Sequence, residues 1–162
     1  MKKIFLLFVF VAFPALVSCQ TENDTIFVAF WNLQNLFDTV DDPAIEDEEF
    51  LPGSEIEWTE DRLDKKMYNL ARTIRMMNNS RGPDILGICE AENEIVLTKM
   101  VNQYLSDLSY EVAYIESPDN RGIDNGLIFK RDKFKLLSTQ ADTVHLADGW
   151  PTRLIFGVNL LT

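Results

Sequence analysis

Two polar side chains stand at the ends of short apolar runs, where they could meet at one ligand site. Asn32 follows the run Thr25–Trp31, and Glu90 ends the run from Asp84 to Glu90. Runs this short, the second preceded by a Gly-Pro pair, are typical of buried strands rather than of helices. An acid at the carboxyl end of such a strand lies where open α/β sheets bind ligands, and Mg²⁺ takes carboxylate oxygen. From this stretch alone, Glu90 could instead cap the following helix.

A second group of candidates lies in the polar loop Ser117–Asn125 and at the start of the strand after it. Arg121 sits beside a glycine and could approach a phosphate oxygen bidentately. Asp124 and Asn125 begin the next strand and could face the same cleft, although ordinary turn chemistry also explains these residue types. Cys89 precedes Glu90, but no basic residue or histidine lies near it in sequence, which favours a packing role over a nucleophilic one.

These stretches resemble the start of the endonuclease/exonuclease/phosphatase superfamily, which has the deoxyribonuclease-I-like fold. The resemblance rests on Trp31-Asn32, on the run ending in Glu90 and on the loop from Ser117 to Gly126. It covers most of residues 25 to 162, in the family's order. It implies a hydrolase of phosphodiesters or phosphomonoesters that depends on Mg²⁺ or Mn²⁺. The substrate class stays open among nucleic acid, nucleotide, phospholipid and sugar phosphate.

The resemblance also implies roles for particular residues. Asn32 and Glu90 would surround the catalytic metal, and the phosphate would be bound by Arg121, Asp124 and Asn125. Some family members carry a second metal-binding acid where this chain has Gln34, so we expect one metal. Strand alternation would send Glu90 and Glu92 to the same side, but the family motif matches Glu90. Glu92 is therefore expected to face a helix or solvent.

The second half of the family's site has no counterpart in this sequence. The family supplies a histidine after a long strand, an Asp-x-Asn pair and a final Asp-His pair, whereas the single histidine here, His145, matches none of them. One explanation is a truncated and inactive N-terminal portion of a metal-dependent hydrolase. The other is a complete, non-catalytic, lipid-anchored binding module. The first is favoured because an uncovered apolar sheet face is hard to keep soluble.

The elements that must position these residues can be predicted from periodicity. A helix begins at Thr59 with one apolar stripe, and a second helix follows an Asn93 cap. Later strands are predicted at Tyr110–Glu116, Gly126–Lys130, Lys135–Thr139 and Thr152–Leu161, with residues 131–133 as a hairpin turn. This order predicts an α+β fold, a mixed sheet with helices on one face. By resemblance it is the N-terminal half of a four-layer sandwich, whose second half would cover the other face.

The segment from Asp41 to Asp61 contains ten carboxylates and no lysine or arginine. Its Pro43, Pro52 and Gly53 indicate a loop. A calcium site is conceivable, but the regular Asp-x-Asp spacing with a turn glycine is absent. A solvated loop that packs Phe50, Leu51 and Trp58 onto the domain is the preferred interpretation, and the resemblance places such a loop beside the substrate cleft.

The N-terminus has the pattern of an export signal. A basic start and an uncharged apolar run end at Leu16-Val17-Ser18-Cys19, which resembles a bacterial lipoprotein cleavage box. An ordinary signal peptide with an incidental cysteine is the alternative. We thus expect a signal peptide at 1–18, a tether at 19–24 and a partial domain at 25–162, held at a membrane by lipid on Cys19.

The charge of the chain bears on its partners. Loss of Lys2 and Lys3 would leave 13 bases against 26 acids, taking the formal charge from −11 to −13. Tight, non-specific nucleic-acid binding depends on neutralising phosphates with lysine and arginine, so this charge argues against it. It does not exclude a phosphate ester that is reached through a metal. No protein partner is evident.

The lipoprotein hypothesis predicts that Cys19→Ala releases the protein from the membrane. The variant should be processed differently and move to the soluble fraction, because the acyl chains that bury methylenes in the bilayer would be missing. Membrane fractionation of variant and wild type measures this. Unchanged processing and unchanged membrane association in the variant would contradict lipidation.

Overall fold

The structure is a computed structural model, and it describes residues 25–147, 149 and 152–162. Cys19, the predicted signal peptide and the predicted tether lie outside the described residues. The strands are β1 (Val28–Leu36), β2 (Ile85–Ala91), β3 (Tyr110–Tyr114), β4 (Asp124–Lys130), β5 (Lys135–Asp142) and β6 (Ile155–Leu161). The α-helices are α1 (Glu60–Ser80) and α2 (Glu94–Tyr104), and short 3₁₀ turns lie at Glu48–Phe50 and Ser106–Leu108. No helix in the described ranges has both the length and the apolarity to cross a membrane.

The main sheet has the strand order β1-β2-β4-β3. β1 and β2 are parallel, whereas β4 runs antiparallel to both β2 and β3. The parallel pair follows from the connection, because α1 carries the chain back to the same end of the sheet before β2 begins. The predicted mixed sheet with helices on one face is confirmed.

Both helices pack on the main sheet through the stripes that their sequences predict. α1 buries Leu63, Met67, Leu70 and Ile74, and α2 buries Val96, Leu97, Met100 and Val101. Asn93 caps α2 as predicted, since its side chain accepts a hydrogen bond from the Val96 backbone N–H at 2.8 Å. Thr59 is the N-cap of α1, but its hydroxyl makes no capping hydrogen bond.

The predicted pairing of β4 with β5 is wrong. β5 pairs with β6 in a separate two-stranded sheet. Both edges of β4 are already paired, one with β2 and the other with β3. This β5–β6 hairpin packs on the side of the main sheet opposite the helices, where Phe129, Phe134 and Phe156 share a small core. The hairpin thus covers part of a face that was expected to be bare. On β1 that face stays open, because Val28 and Phe30 are exposed.

Three strands are longer than predicted. β1 runs to Leu36, so Asn32 lies inside the strand instead of at its end. β4 begins at Asp124, two residues before the predicted start at Gly126, so Asp124 and Asn125 are its first residues. β5 continues to Asp142 because the whole segment pairs with β6. Pairing with a distant strand, which local propensity does not report, accounts for each extension.

The segment from Asp41 to Asp61, here called the acidic loop, packs onto the domain as predicted. Phe37 and Phe50 stack with ring centroids 4.0 Å apart, and Trp58 meets Phe50 edge-on. The same loop contacts the loop before β4, since the Glu46 N–H donates to the carbonyl of Asn120 at 2.8 Å. Two loops distant in sequence therefore meet at the carboxyl end of β2.

Gly122 is predicted to be essential to that contact. Its φ is +62°, and a Cβ there would lie 2.1 Å from Cδ1 of Ile45 in the acidic loop. Gly122→Ala should lower the free energy of unfolding by about 1–3 kcal/mol through backbone strain and the clash. Urea denaturation measures the change. Gly53→Ala is the matched control, because a Cβ at Gly53 meets nothing within 4 Å, and equal stability of the two variants would contradict the prediction.

Candidate functional site

The register between β1 and β2 breaks at Glu90. Asn32 pairs with Cys89 and Leu36 pairs with Ala91, so three residues of β1 face one residue of β2. Glu90 has a left-handed backbone with φ of 62°, and Gln34 and Asn35 opposite it are also left-handed. Non-glycine residues rarely adopt this conformation, and bulges that do so re-aim side chains next to functional sites. The irregularity marks this part of the sheet as a candidate site.

Side chains of α1 and β1 hold the bulge in place. Lys66 donates from Nζ to the carbonyl of Asn35 at 2.9 Å and also to the carbonyl of Gln34. Asn32 accepts the Gln34 N–H on its Oδ1 at 2.7 Å. Lys66 lies 5.5 Å from the ring centroid of Trp58, and its burial lowers the pKa of its ammonium group while the charge of Glu90 opposes that shift. Three backbone groups of the bulge, the Gln34 N–H and the carbonyls of Gln34 and Asn35, are thus satisfied locally.

The carboxylate of Glu90 is surrounded by positive charge. Nη1 of Arg153 lies 3.8 Å from its Oε1. Lys66 and Arg121 are also near Glu90, whose negative charge opposes the lowering of the Lys66 pKa by burial and adds to the raised pKa of Arg121, which is caused mainly by Asp119. Glu90 keeps about a fifth of its side chain exposed, at 21%. A partly exposed acid among three bases suits a site that binds an anion or a metal–anion pair.

Arg121 lies in the loop before β4 and is held by Asp119. Its Nε donates to Oδ1 of Asp119 at 2.9 Å and its Nη2 donates to Oδ2 at 2.6 Å. The bidentate edge that was predicted for a phosphate is therefore occupied by a carboxylate, which raises the pKa of the guanidinium. The guanidinium is still 55% exposed, so it can present charge to the cleft without losing Asp119.

Asp124 and Asn125 occupy supporting positions. Asp124 is 1% exposed, and it accepts hydrogen bonds from the Tyr114 hydroxyl at 2.9 Å and from the Ser117 N–H and hydroxyl. Asn125 donates from Nδ2 to the carbonyl of Leu154 at 2.9 Å, next to Arg153. Asp124 fixes the loop that carries Arg121, while Asn125 fixes the segment that carries Arg153.

Glu92 was expected to face a helix or solvent, and solvent is wrong because its side chain is buried. It is 3% exposed, and its Oε2 accepts the Asp38 backbone N–H at 2.6 Å. Burial raises the pKa of its carboxyl to about 8, and the negative charges of Asp38, Asp47 and Asp42 add to the shift. The bulge explains why alternation failed, because a left-handed residue between two strand positions changes the direction of the chain.

Sequence reasoning missed Arg153, Lys66 and the environment of Glu92. Arg153 is 63 residues from Glu90 along the chain (153 − 90) and reaches it only through the β5–β6 hairpin. Lys66 lies off the apolar stripe of α1 in the sequence, and this position gives no hint of its two carbonyl contacts. Arg153 offered no usable signal in the sequence, because it lay inside the predicted strand Thr152–Leu161, whereas in the structure it precedes β6, which begins at Ile155.

Two of the predicted residues and one missed residue converge, while others stand apart. Glu90, Arg121 and the missed Arg153 interact electrostatically, and Asn32 faces Cys89 across the strand pair. Burial, Glu90 and Arg153 act on Cys89, and burial dominates and raises the pKa of its thiol, as fits a packing residue. His145 is exposed in the segment between β5 and β6. No group of three or more histidine, cysteine or acidic residues in the described ranges is arranged to hold a metal ion.

The buried Glu92 predicts a pH-dependent stability. A carboxyl whose pKa rises on folding stabilises the protein fully below its unfolded pKa, and this contribution is lost as pH rises through the folded value. In metal-free buffer the free energy of unfolding should fall between about pH 5 and pH 8, by up to about 1.4 kcal/mol per pH unit. Glu92→Gln should remove this component of the slope.

Urea denaturation at several pH values measures the effect. The control is Glu49→Gln, which replaces an exposed acid of the acidic loop. The control should keep the wild-type slope. If Glu92→Gln also keeps it, Glu92 does not titrate in this range.

Comparison with known proteins places this geometry in context. The structure is similar to the crystal structure of ANGEL2, a 2′,3′-cyclic phosphatase, at 20% identity and a TM-score of 0.45, over 57% of this chain and 26% of that one. A second structure of ANGEL2, in complex with adenosine-2′,3′-vanadate, is 17% identical with a TM-score of 0.44, over 76% and 32%. The human Nocturnin catalytic domain with bound sulfate is 19% identical with a TM-score of 0.41, over 59% and 37%.

These likenesses are too weak to transfer a function, and the chain spans about a quarter to two fifths of the length of the structures it matches. No curated protein matches the chain. The family model of the Endonuclease/Exonuclease/phosphatase family matches residues 27–158, which include both strands of the bulge and all three bases around Glu90. The chain therefore belongs to the Endonuclease/Exonuclease/phosphatase family.

Proposed function

We propose that Glu90 is the principal metal ligand of a divalent-metal-dependent phosphoesterase site. The observation that supports this most directly is the strained, left-handed Glu90 with its partly exposed carboxylate among Lys66, Arg121 and Arg153. Strain at a non-glycine residue persists only where the surrounding structure enforces it, and it is concentrated at functional sites. Membership of the family supports a phosphate ester as the substrate.

The donors near Glu90 suit Mg²⁺ or Mn²⁺. Mg²⁺ is held in proteins by one or two carboxylates together with several waters and substrate oxygens. Glu90 supplies one carboxylate, and its ion pair with Arg153 is long, at 3.8 Å, so a cation of higher charge can displace the arginine. Asn32 supplies an amide whose oxygen already accepts one N–H and has a second lone pair. A bound metal would polarise the phosphoryl oxygen.

The three bases have distinct tasks in this proposal. Arg153 balances the negative charge of Glu90 when the metal is absent and turns to the phosphate when the metal is present. The hydrogen bond from Asn125 to the carbonyl of Leu154 positions the segment that carries Arg153. Arg121 adds charge at the edge of the cleft while Asp119 fixes its orientation. Lys66 is committed to the bulge carbonyls, so it positions Glu90 and does not touch the substrate. Preorganised charges of this kind stabilise the transition state without reorganisation.

Hydrolysis also requires a base for water and an acid for the leaving oxygen. Among the described residues, Glu90 forms no hydrogen bond or ion pair with a histidine, and Asp124 is committed to Tyr114 and Ser117. We propose that these groups belong to a second half of the fold, which would also cover exposed Val28 and Phe30. The 162-residue chain alone is then inactive. We also propose that Cys19 carries lipid, which would hold the enzyme at a bacterial membrane surface.

The proposal predicts the effect of Glu90→Gln in a longer chain that carries the family's second half after residue 162. Loss of the carboxylate charge should lower Mg²⁺-dependent hydrolysis of bis-p-nitrophenyl phosphate by a factor on the order of 10²–10³. Asn32→Ala should be comparably damaging. Steady-state rates measured against Mg²⁺ concentration test both.

Glu111→Gln is the matched control, because Glu111 is an exposed acid on β3 of the same sheet. It should leave the rate unchanged. Normal Mg²⁺-dependent turnover by Glu90→Gln would refute the assignment of the metal ligand. Turnover by the 162-residue chain that disappears in Glu90→Gln would instead refute the need for a second half.

A further inference from the structure

The end of the main sheet opposite Glu90 carries a group of bases. β1 and β2 begin at this end, and the antiparallel β4 finishes there, since Ile85 pairs with Phe129. Asp84 lies at this end and precedes Glu90 by six residues, which is about 20 Å along a strand. Five bases lie in or next to the connections here, and we call them the basic end: Arg81, Lys130, Arg131, Lys133 and Lys135.

A buried carboxylate holds the basic end together. Asp84 is buried, and Nζ of Lys133 lies 2.8 Å from its Oδ1, while Nζ of Lys130 lies 3.6 Å from the same oxygen. Lys130 also donates to the backbone carbonyl of Arg81 at 2.9 Å. Bases from two distant parts of the chain are therefore brought together by one acid.

The charge of the basic end is opposite to that of the rest of the chain. Its five bases are accompanied by the buried Asp84 and the exposed Asp132, which gives a net charge of +3 (5 − 2). The whole chain carries −11, so all other residues sum to −14. Asp107, which precedes β3 at the same end, is already paired with an arginine of α1. Because Arg131 and Lys135 are exposed, this end can present positive charge to an anionic surface.

The chain enters the fold at the same end. Phe27 directly precedes β1, and its N–H donates to Oδ2 of Asp84 at 2.9 Å, while its carbonyl accepts the Asp84 N–H at 2.9 Å. Phe27 and the preceding Ile26 are exposed apolar side chains. Aromatic and aliphatic side chains next to bases are typical of surfaces that lie at a membrane–water interface.

The proposed lipid on Cys19 would place a membrane next to this end. Six peptide units join Cys19 to Thr25, the first described residue, and they span at most about 20 Å. The basic end is therefore the part of the domain that the anchor holds closest to the bilayer. A basic patch next to a lipid anchor adds a second attraction to anionic phospholipid. We propose that the basic end binds the anionic headgroups of the membrane that holds Cys19.

Binding in this orientation would turn the Glu90 site away from the bilayer. Glu90 and the acidic loop lie beyond the opposite end of β1 and β2, so the most negative segment would be kept away from the headgroups. A phosphate ester dissolved in water could reach Glu90, whereas a phospholipid of the same membrane could not. The inference rests on the proposed lipid anchor, and it narrows the proposed substrate to water-soluble esters.

Acetylation of lysines in the membrane-anchored protein tests this contact. The lipidated protein is placed in vesicles of phosphatidylcholine with or without phosphatidylglycerol, treated with a water-soluble acetylating reagent and analysed by mass spectrometry. Lys135 should be acetylated about fivefold less in the anionic vesicles, because each base near an anionic surface strengthens binding by about that factor. Lys65, an exposed lysine in the first half of α1, should react equally in both. High salt should remove the difference.

Charge variants separate the basic end from the other bases of the chain. Arg131→Glu should return the acetylation of Lys135 in anionic vesicles to its value in neutral vesicles, and Arg131→Gln, which only removes the charge, should give an intermediate value. Arg62→Glu is the matched control, because Arg62 is an exposed base in the first turn of α1, where it lines a cavity together with Gln34 of the bulge. This control should keep the wild-type protection.

Equal acetylation of Lys135 in both kinds of vesicle would overturn the proposal, as would wild-type protection in Arg131→Glu or lost protection in Arg62→Glu. Protection in neutral vesicles that grows with protein concentration would indicate contact between copies of the chain and would also overturn it. Membrane fractionation of Cys19→Ala reports on the lipid anchor separately, and none of these measurements depends on phosphate-ester hydrolysis.

Discussion

The mismatch between β1 and β2 is the constraint on which the candidate site depends. Three residues of β1 face Glu90 alone, and the pairing resumes only at Leu36 and Ala91. Here the strand pair absorbs the two extra residues with left-handed backbone, which falls on Gln34, Asn35 and Glu90 rather than on glycine. The cost of these conformations, about 1–3 kcal/mol each, is offset locally by the lysine and amide that satisfy the freed backbone groups.

The same mismatch gives two glutamates, two residues apart, opposite electrostatic environments. Glu90 lies among Arg153, Arg121 and Lys66, whereas Glu92 lies among aspartates. In a regular strand both would face the same side. Because the chain turns at Glu90, one carboxylate remains partly exposed toward bases from other elements. The other is carried into the contact between the sheet and the acidic loop.

Local patterns in the sequence were enough to predict the helices but not the strand pairing. The stripe of α1 and the Asn93 cap depend on residues within a few positions of each other, and both were confirmed. The partner predicted for β5 was wrong. A short turn after β4 favours a hairpin, but both edges of β4 are paired with other strands. Edge occupancy is a property of the whole sheet, and no local spacing reports it.

The residues of the candidate site show the same difference between local and long-range signals. Glu90 was identifiable because it ends an apolar run, which is a local signal. Arg153 was not, because the hairpin that brings it to Glu90 packs through Phe129, Phe134 and Phe156, and nothing near Arg153 in sequence specifies that packing. The left-handed conformation of Glu90 could not be predicted either, since residue type would have suggested glycine or asparagine there.

Charge distribution limits how an anionic substrate can reach Glu90. The chain carries a formal net charge of −11, which repels a phosphate ester from most of its surface, and the acidic loop lies against the loop that carries Arg121. At the ionic strength of a cell, fields extend about 8 Å, so acids of the neighbouring loop act on the cleft while distant ones are screened. The bases around Glu90 therefore attract an anionic substrate only at short range, against the negative charge of the neighbouring loop.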